Sequence, residues 1–433
     1  MKNKARLIDM AKNFAIVLLL ISAGFLLLKA TVGGRGSFFG GLEGLFDGNS
    51  DSVSAELPEG EVTTLASDPV FLLVTSETGS HYAVKYNNDT KDKLMAQFSG
   101  SLGEALGSSG KPTEVSVEKW QTALSGSGVF FDYLYPQPLS AIASSLGTEI
   151  SSDASLETAR RFYLGEDGGN LVLYFISEDE GIIYRCDTVL SFSTLKTKIS
   201  ECPLGSANFA FELGEDYANI DPYFIFSHEN EPLSAVTVTN PVRDNYDGSG
   251  LLAHFGMNSR IVSELPKSDG SKVYVEGDKS LSIESSGRVI FDASGGNGII
   301  IKGGSAGLTI TDSISVCSEI VKNSIGLVGG DGVTELVKVS NVSTPSSCTV
   351  SFGYFVNGIP VTLPGGESAA SFQIISGTIV KAELYLRRYT LPGGTIVPLP
   401  EKQAAVIAET RGGEPVLTYE DRTDSVTCAW IKG

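Results

Sequence analysis

One stretch of the chain matches a nucleophile pattern. Gly303-Gly304-Ser305-Ala306-Gly307 fits G-x-S-x-G, follows the strand-like run Ile299–Ile301 and precedes a predicted helix. In α/β-hydrolases this pattern presents a serine on a sharp turn, and the histidine base follows later in the chain. The last histidine here is His254, so no base follows Ser305. We interpret the stretch as a glycine-rich turn and predict no catalytic residue in it.

The remaining chemistry-bearing residues form no recognisable site. The three histidines, His81, His228 and His254, are far apart and lack metal-ligand spacing. Carboxylates are plentiful, with 51 Asp and Glu residues, so a pair for glycoside hydrolysis stays open although no pair stands out. We predict that the chain is not an enzyme and that it holds no metal and no cofactor.

The five cysteines show no C-x-x-C motif. Five is an odd number and sparse for an exported domain, so disulfides are not the framework of the fold. Cys186 and Cys202 flank one short unit and could pair if their Cα atoms lie within about 7 Å. Two free thiols are the alternative.

An apolar, uncharged segment lies near the N-terminus. It runs from Phe14 to Leu28 and follows a tail with four basic residues and one aspartate. About 20 apolar residues span the hydrocarbon core of a bilayer. The sequence therefore predicts a cytoplasmic tail at 1–12 and a transmembrane helix at 13–32, with the bulk of the chain outside the cytoplasm. A cleaved signal peptide is the alternative, but no A-x-A site follows the segment.

One stripe of the predicted transmembrane helix carries small or polar residues. Small side chains allow helices to approach closely in lipid. The candidate helix-contact residues are Ala11, Ala15, Ser22 and Lys29.

The chain is acidic, with a formal net charge of −19. Nucleic-acid binding and adhesion to anionic lipid need clustered Lys and Arg, and no such cluster occurs. An acidic exterior suits a solvated surface or a basic patch on a partner protein.

Turn residues and periodicity divide the rest of the chain. We predict a Gly/Ser-rich acidic linker at 33–60, an α+β domain at 61–155, a second α+β domain at 156–242 and a sheet-rich domain at 243–433. The predicted fold class is α+β, with one N-terminal transmembrane helix and then mostly antiparallel sheets with helices packed on one side.

Several local elements are predicted with bounds. Apolar residues four apart indicate a helix through Leu94, Phe98, Leu102 and Leu106. Short helices are predicted at Val117–Leu124 and after Pro138. A second amphipathic face is formed by Ile314, Cys317, Val321 and Ile325. Strands are predicted at 273–275, 281–283, 289–291 and 335–339, and the Asn357-Gly358 step favours a hairpin turn.

Four features together resemble a known family. They are the basic tail with one membrane segment, the run Trp120–Leu124 followed by Val129–Tyr133, and the run Ser268–Glu276 with its two following strands, Leu281–Ile283 and Gly287–Phe291. The last is Gly353–Val361 with Gly377–Val380 and Trp430. Together they resemble the YycH/YycI family, also called WalH/WalI, and are closer to YycH. These are membrane-anchored accessory proteins of a cell-wall-controlling two-component system in Gram-positive bacteria.

The resemblance implies no enzyme activity. It implies that the C-terminal part, 243–433, is similar to YycI. It also implies two protein partners, a WalK-like sensor histidine kinase and a sibling YycI-like single-span protein. The lipid bilayer would surround the predicted transmembrane helix. An envelope-tethered module that binds a cell-wall fragment or an exported protein is the alternative function.

Overall fold

The computed structural model describes residues 65–86, 88–150, 157–177, 180–227, 232–244, 246, 248–304, 307–411 and 414–432. All of them belong to one unit that begins at Val53. The predicted tail, transmembrane helix and linker lie outside the described residues. Within the described ranges, no helix combines the length and apolar character needed to cross a membrane.

The first sheet has seven strands in the order β2-β1-β4-β5-β6-β7-β3, and every neighbouring pair is antiparallel. Its strands are β1 Phe71–Thr75, β2 His81–Lys85, β3 Thr113–Glu114, β4 Gly128–Pro138, β5 Thr158–Asp167, β6 Asn170–Ser177 and β7 Ile182–Ser191. Its helices are α1 Asn88–Ser108, α2 Val117–Leu124, α3 Leu139–Ser145 and α4 Ser193–Ser200. The sheet takes strands from both sides of the boundary predicted at residue 155, and the domain boundaries stay predictions.

Both faces of the first sheet are covered, which the sequence of β4 explains. Val129, Phe131 and Tyr133 point into the core on one face, whereas Phe130 and Leu134 point into the core on the other. A strand buried on both faces needs apolar residues at successive positions instead of an alternation. On the first face lies α1, whose four predicted apolar residues are all buried, so that the predicted helix is confirmed.

Within the described residues, short pairs of strands form separate two-stranded sheets beside the two large ones. They are β8 Asn208–Phe209 with β9 Ile225–Phe226, β10 Leu233–Ser234 with β23 Thr395–Ile396, and β11 Thr237–Thr239 with β22 Arg388–Thr390. The 3₁₀ helices in the described part of the chain are Ala210–Glu212, Glu215–Tyr217, Pro241–Asp244 and Pro364–Gly366.

The second sheet has twelve strands. Its main path is β12-β13-β14-β15-β21-β20-β18-β19-β24-β25, with β16 on β21 and β17 on β18. Its strands are β12 Ser263–Pro266, β13 Lys272–Glu276, β14 Lys279–Ile283, β15 Arg288–Asp292, β16 Ile299–Ile300, β17 Val333–Ser340, β18 Thr349–Val356, β19 Ile359–Thr362, β20 Ala370–Ile375, β21 Thr378–Tyr385, β24 Pro415–Asp421 and β25 Val426–Lys432. The pair β19 and β24 is parallel, and the other pairs are antiparallel.

The helices of this part are α5 Ser249–His254, α6 Ile310–Ser324 and α7 Glu401–Arg411. At the start of α6, Thr309 accepts the Asp312 N–H and the Asp312 carboxylate accepts the Thr309 N–H, which forms a capping box. The predicted apolar face of α6 is buried. Between β18 and β19, Asn357 and Gly358 have φ values of 51° and 73°, as the predicted hairpin turn requires.

The two sheets meet where β4 packs against β17. Gln137 Nε2 donates to the Leu336 carbonyl at 2.9 Å, and the rings of Tyr135 and Phe355 meet edge to face. The mixed α+β fold with mostly antiparallel sheets is confirmed.

The second face of the first sheet is organised by Trp120 of α2, which is fully buried. Its ring meets Tyr163 and Tyr223 edge to face, with centroids 6.1 and 5.9 Å apart. We expect Trp120→Ala to lower the free energy of unfolding by about 3–5 kcal/mol, because the vacated volume cannot collapse. Urea denaturation measures this loss.

Val189→Ala is the control, because that side chain is 88% exposed. It should change the stability by less than about 0.5 kcal/mol. Equal losses in the two variants would contradict the assignment of Trp120 to the core.

Candidate functional site

A threonine, a histidine and a glutamate form a chain of hydrogen bonds that sequence analysis did not predict. Thr75 Oγ1 lies 2.9 Å from His81 Nδ1, and His81 Nε2 lies 3.0 Å from Glu212 Oε1. This is the connectivity of a nucleophile, a base and an orienting acid. Glu212 follows His81 by 131 residues, so the spacing carries no signal.

The burial of Thr75 indicates that these hydrogen bonds have a structural role. Thr75 is fully buried and its hydroxyl also lies 3.3 Å from the Leu124 carbonyl. A nucleophile must reach its substrate, and Thr75 lies inside the core. Glu212 also accepts the Phe209 N–H at 2.8 Å, so the three side chains join β1 and β2 to the segment around β8.

A larger ionic cluster lies where the first sheet meets the segment before β24. It comprises Asp132, Arg160, Arg161, Asp221 and Glu414, and we call it the junction network. Arg160 binds Asp132 through Nε and Nη2 at 2.6 and 2.9 Å, and Glu414 through Nη1 and Nη2 at 2.6 and 2.9 Å. Both contacts are therefore bidentate, the geometry that holds a guanidinium most firmly.

Arg161 extends the junction network to a third acid. It contacts Asp132 at 3.2 Å, Glu414 at 3.3 Å and Asp221 at 3.0 Å. The cluster thus ties β4 and β5 to the strand pair β24–β25 and to the loop before β9.

Irregular backbone in β4 positions the central acid. The register of β4 against β5 shifts between Asp132 and Gln137, and Leu134 has a positive φ of 66°. The Asp132 carboxylate accepts the Leu134 N–H at 2.8 Å. One carboxylate therefore closes this bend and binds two arginines.

The charged side chains of the junction network are mostly buried, and each is paired with an opposite charge. The side chains of Asp132, Arg160, Arg161 and Glu414 are at most 13% exposed. Burial raises the pKa of Asp132, but Arg160 and Arg161 outweigh it and hold that pKa below its usual value. Asp132 is therefore ionised at neutral pH, and removing one partner would leave a buried charge.

A second ionic contact lies beside the network. Lys85 Nζ lies 2.8 Å from Glu401 Oε1 and donates to the Ile225 carbonyl. It also lies 4.8 Å from the centroid of the Phe224 ring, a cation–π contact. Glu401 begins α7, so this contact holds the helix against β2.

The cavity between these groups is small. It measures about 10 Å³, which is room for one water molecule. Its lining residues are Phe71, Lys85, Asp132, Tyr223, Phe224, Ile225 and Glu414.

A second concavity of about 210 Å³ lies on the twelve-stranded sheet. It is lined by Arg288, Glu367, Ser368, Ser371, Glu383, Leu384 and Tyr385. Typical small-molecule sites measure about 300–1,000 Å³. Arg288 is neutralised there by Glu383, so the cleft does not present a free cation.

The predicted site residues lie in different places. The helix-contact candidates Ala11, Ala15, Ser22 and Lys29 lie outside the described residues, as does Ser305. In the described ranges, no group of three or more His, Cys, Asp or Glu residues could hold a metal ion.

Cys186 and Cys202 are described as free thiols, and their pairing stays a prediction. Cys186 lies buried in β7, and burial raises its pKa to about 12. Cys202 follows α4, and its Sγ lies 3.6 Å from the Lys198 carbonyl.

We predict that breaking the junction network lowers the stability of the protein. Arg160→Ala should lower the free energy of unfolding by about 3–5 kcal/mol, because Asp132 and Glu414 each lose a buried cation. Arg243→Ala is the control, since its partner Asp424 lies at 3.0 Å on the exposed surface. The control should cost less than about 1 kcal/mol. Chemical denaturation at neutral pH compares the two, and similar small losses would contradict the role of the network.

A pH dependence is expected from Glu335, which β17 places at the contact with β4. Burial raises the pKa of Glu335 to about 7, the charge of Lys91 opposes this and that of Asp68 adds to it. A raised carboxyl pKa means that the folded protein binds more protons than the unfolded chain between about pH 4.5 and 7. The free energy of unfolding should therefore fall as pH rises through this range.

Glu335→Gln should remove that fall and stabilise the protein at pH 8, by an amount on the order of 1 kcal/mol. At pH 4.5 the variant and the natural protein should be equally stable. Thermal or chemical unfolding across pH tests this, and parallel pH profiles would refute it.

Comparison with known proteins addresses the fold. No protein-family model matches the chain, and no curated protein matches it. The chain is similar to the crystal structure of YycH from Bacillus subtilis, with a TM-score of 0.51 and 12% sequence identity. The match covers 88% of this chain and 95% of that one. The expected resemblance is thus confirmed at the level of the fold: the chain has a YycH-like fold.

Proposed function

We propose that this protein is a membrane-anchored, extracytoplasmic regulator of a sensor histidine kinase. The observation that carries the proposal is the YycH-like fold, which extends over nearly the full length of both chains. Among the described residues, the sequence motifs that resemble the YycH/YycI family lie in helix α2 and in strands of the two large sheets. The apolar segment at 13–32 supports the anchor and its orientation.

The described surface supports recognition of a protein more than recognition of a small molecule. The cavity at the junction has room for only one water molecule, and the cleft on the second sheet is smaller than typical ligand sites. Protein partners bind to broad surfaces and need no deep pocket. The proposed partners are a WalK-like kinase and a sibling YycI-like single-span protein.

A regulator changes the output of a kinase only if it binds two kinase states with different affinity. A body that deforms on contact would weaken such discrimination. The junction network and the contact between β4 and β17 hold the two sheets together, which supports an ectodomain that acts as one body on its partner. The transmembrane helix is proposed to add contacts through Ala15 and Ser22.

The proposal predicts which proteins the full-length chain captures from native membranes. Crosslinking and mass spectrometry should recover a histidine kinase and a single-span sibling. Leucine at both Ala15 and Ser22 should lower the recovery of the kinase by about tenfold, because the larger side chains separate the helices. Val17→Leu is the control, because position 17 lies on the opposite side of the predicted helix, and it should leave recovery unchanged.

Three results would contradict parts of this proposal. Recovery of wall fragments or unrelated exported proteins without a kinase would favour the envelope-binding module. Capture of the kinase that survives replacement of 13–32 by an unrelated membrane segment would remove the helix contact. A kinase whose output is unchanged by deletion of this protein would remove the regulatory role.

A further inference from the structure

The last strand of the twelve-stranded sheet, β25, is paired along one side. Its neighbour is β24, and in the described residues no other strand pairs with it. The hairpin between the two strands closes with the Arg422 N–H donating to the Ser425 carbonyl at 2.9 Å. Hydrogen-bonded positions alternate along an antiparallel pair. In the observed register, the odd-numbered residues of β25 therefore bond to β24 and the even-numbered residues direct their N–H and C=O groups away from it.

The outward groups belong to Val426, Cys428, Trp430 and Lys432. No other backbone bond of these residues occurs within the described part of the chain. Their side chains are half-buried, except that of Lys432, which is exposed, whereas β24 is buried along nearly its whole length. Among the described residues, β25 is thus packed on its faces and unpaired along its outer edge.

The opposite edge of the same sheet, β12, is protected against pairing with another strand. The outer edge of β25 lacks such protection. At β12 the Lys267 N–H donates to the Ser271 carbonyl. In this register the backbone groups of Glu264 and Pro266 point away from β13, toward the outer edge of the sheet. Proline, which lacks an N–H, and exposed charged side chains both protect an edge strand against pairing with another strand. The seven residues of β25 include no proline, and the pairing of β24 with β25 has no bulge.

The segment and helix that contact β25 carry exposed apolar side chains. Trp430 Nε1 donates to the Leu399 carbonyl at 2.8 Å, and α7 packs against β24 and β25. Val397 is 67% exposed and Val406 of α7 is 57% exposed.

We propose that β25 pairs antiparallel with β25 of a second copy of this chain, which makes one continuous sheet across a two-fold axis. The register that centres on Cys428 places Val426 opposite Trp430 and brings Lys432 next to Asp424, which lies in the turn before β25 and also pairs with Arg243 of its own chain at 3.0 Å. Both pairs occur twice, as an isologous interface requires. It joins opposite charges at each end of the new strand pair and apolar side chains between them.

Neighbouring registers are less complementary. A shift that brings Cys428 opposite Trp430 places the charged Lys432 against the apolar Val426. A shift in the other direction brings Lys432 against Arg422, two like charges. Charge complementarity therefore selects a second copy of the chain as the occupant of this edge and selects the register centred on Cys428. The inference goes beyond the proposed function and does not depend on it.

The decisive substitution removes an outward N–H without touching the bonds to β24. Val426→Pro does this, and Val426→Ala is the matched control that shortens the side chain and keeps the N–H. We expect Val426→Pro to weaken dimerisation at least about tenfold relative to Val426→Ala, because two hydrogen bonds are lost across the two-fold axis. The melting temperatures of the two variants should stay close.

Two measurements on the full-length protein compare dimerisation of the two variants. Sedimentation in detergent gives the mass of the particle. A short thiol crosslinker applied to native membranes, in a Cys202→Ser background, gives a covalent dimer that Cys428→Ala abolishes. Asp424→Lys should lower the dimer yield about two- to fivefold, and Asp424→Lys combined with Lys432→Asp should restore it.

The proposal is overturned if both measurements give the same result for Val426→Pro and Val426→Ala. It is also overturned if Val426→Pro abolishes capture of a different protein while the natural chain remains monomeric. In that case the edge accepts a strand from another partner.

Discussion

The described structure depends on the pairing of buried charges at the junction between its two sheets. Arg160 lies between Asp132 of the first sheet and Glu414 beside the second, with two hydrogen bonds to each. Such a cluster adds little net free energy over a well-packed apolar contact, because its members lose their hydration. Its effect is on specificity, since a shift of either sheet would leave an unpaired charge in the interior.

The contacts around the junction share this property. Gln137 reaches the backbone of β17, Lys85 reaches Glu401 of α7, and Glu335 lies where β17 faces the first sheet. Each joins polar groups that are distant in sequence and mostly buried. The hydrophobic core supplies most of the stability of each sheet, and these polar contacts determine how one sheet sits on the other.

Local elements could be predicted because their signals are local. The period of four in α1, the capping residues of α6 and the Asn357-Gly358 turn each act within a few residues, and the structure confirms them. The strand predicted at 335–339 occurs as Val333–Ser340, longer at both ends because strand boundaries depend on pairing. The fold resemblance rested on patterns of this kind, and it is confirmed at 12% identity.

The candidate site could not be predicted, because its residues are brought together by the fold. Arg160 and Glu414 are 254 positions apart, and no spacing rule connects them. The bonds of His81 to Thr75 and Glu212 could not be predicted either, because they require the pairing of β1 with β2 and the fold of the 208–212 segment. The predicted residues of the membrane helix lie outside the described residues, so their role stays a proposal.

The position of Glu414 also affects how the chain folds as it emerges. Arg160 and Arg161 are synthesised long before Glu414, the acid that completes their neutralisation, and β19 is synthesised before β24, its parallel neighbour. Contacts of such long sequence separation form late and slowly. Until the last hairpin docks, the first sheet holds two adjacent guanidiniums with an incomplete set of counter-ions. We therefore expect docking of the C-terminal hairpin to be a late step of folding, and cleavage before residue 414 to remove two strands of the second sheet together with the acid that binds Arg160.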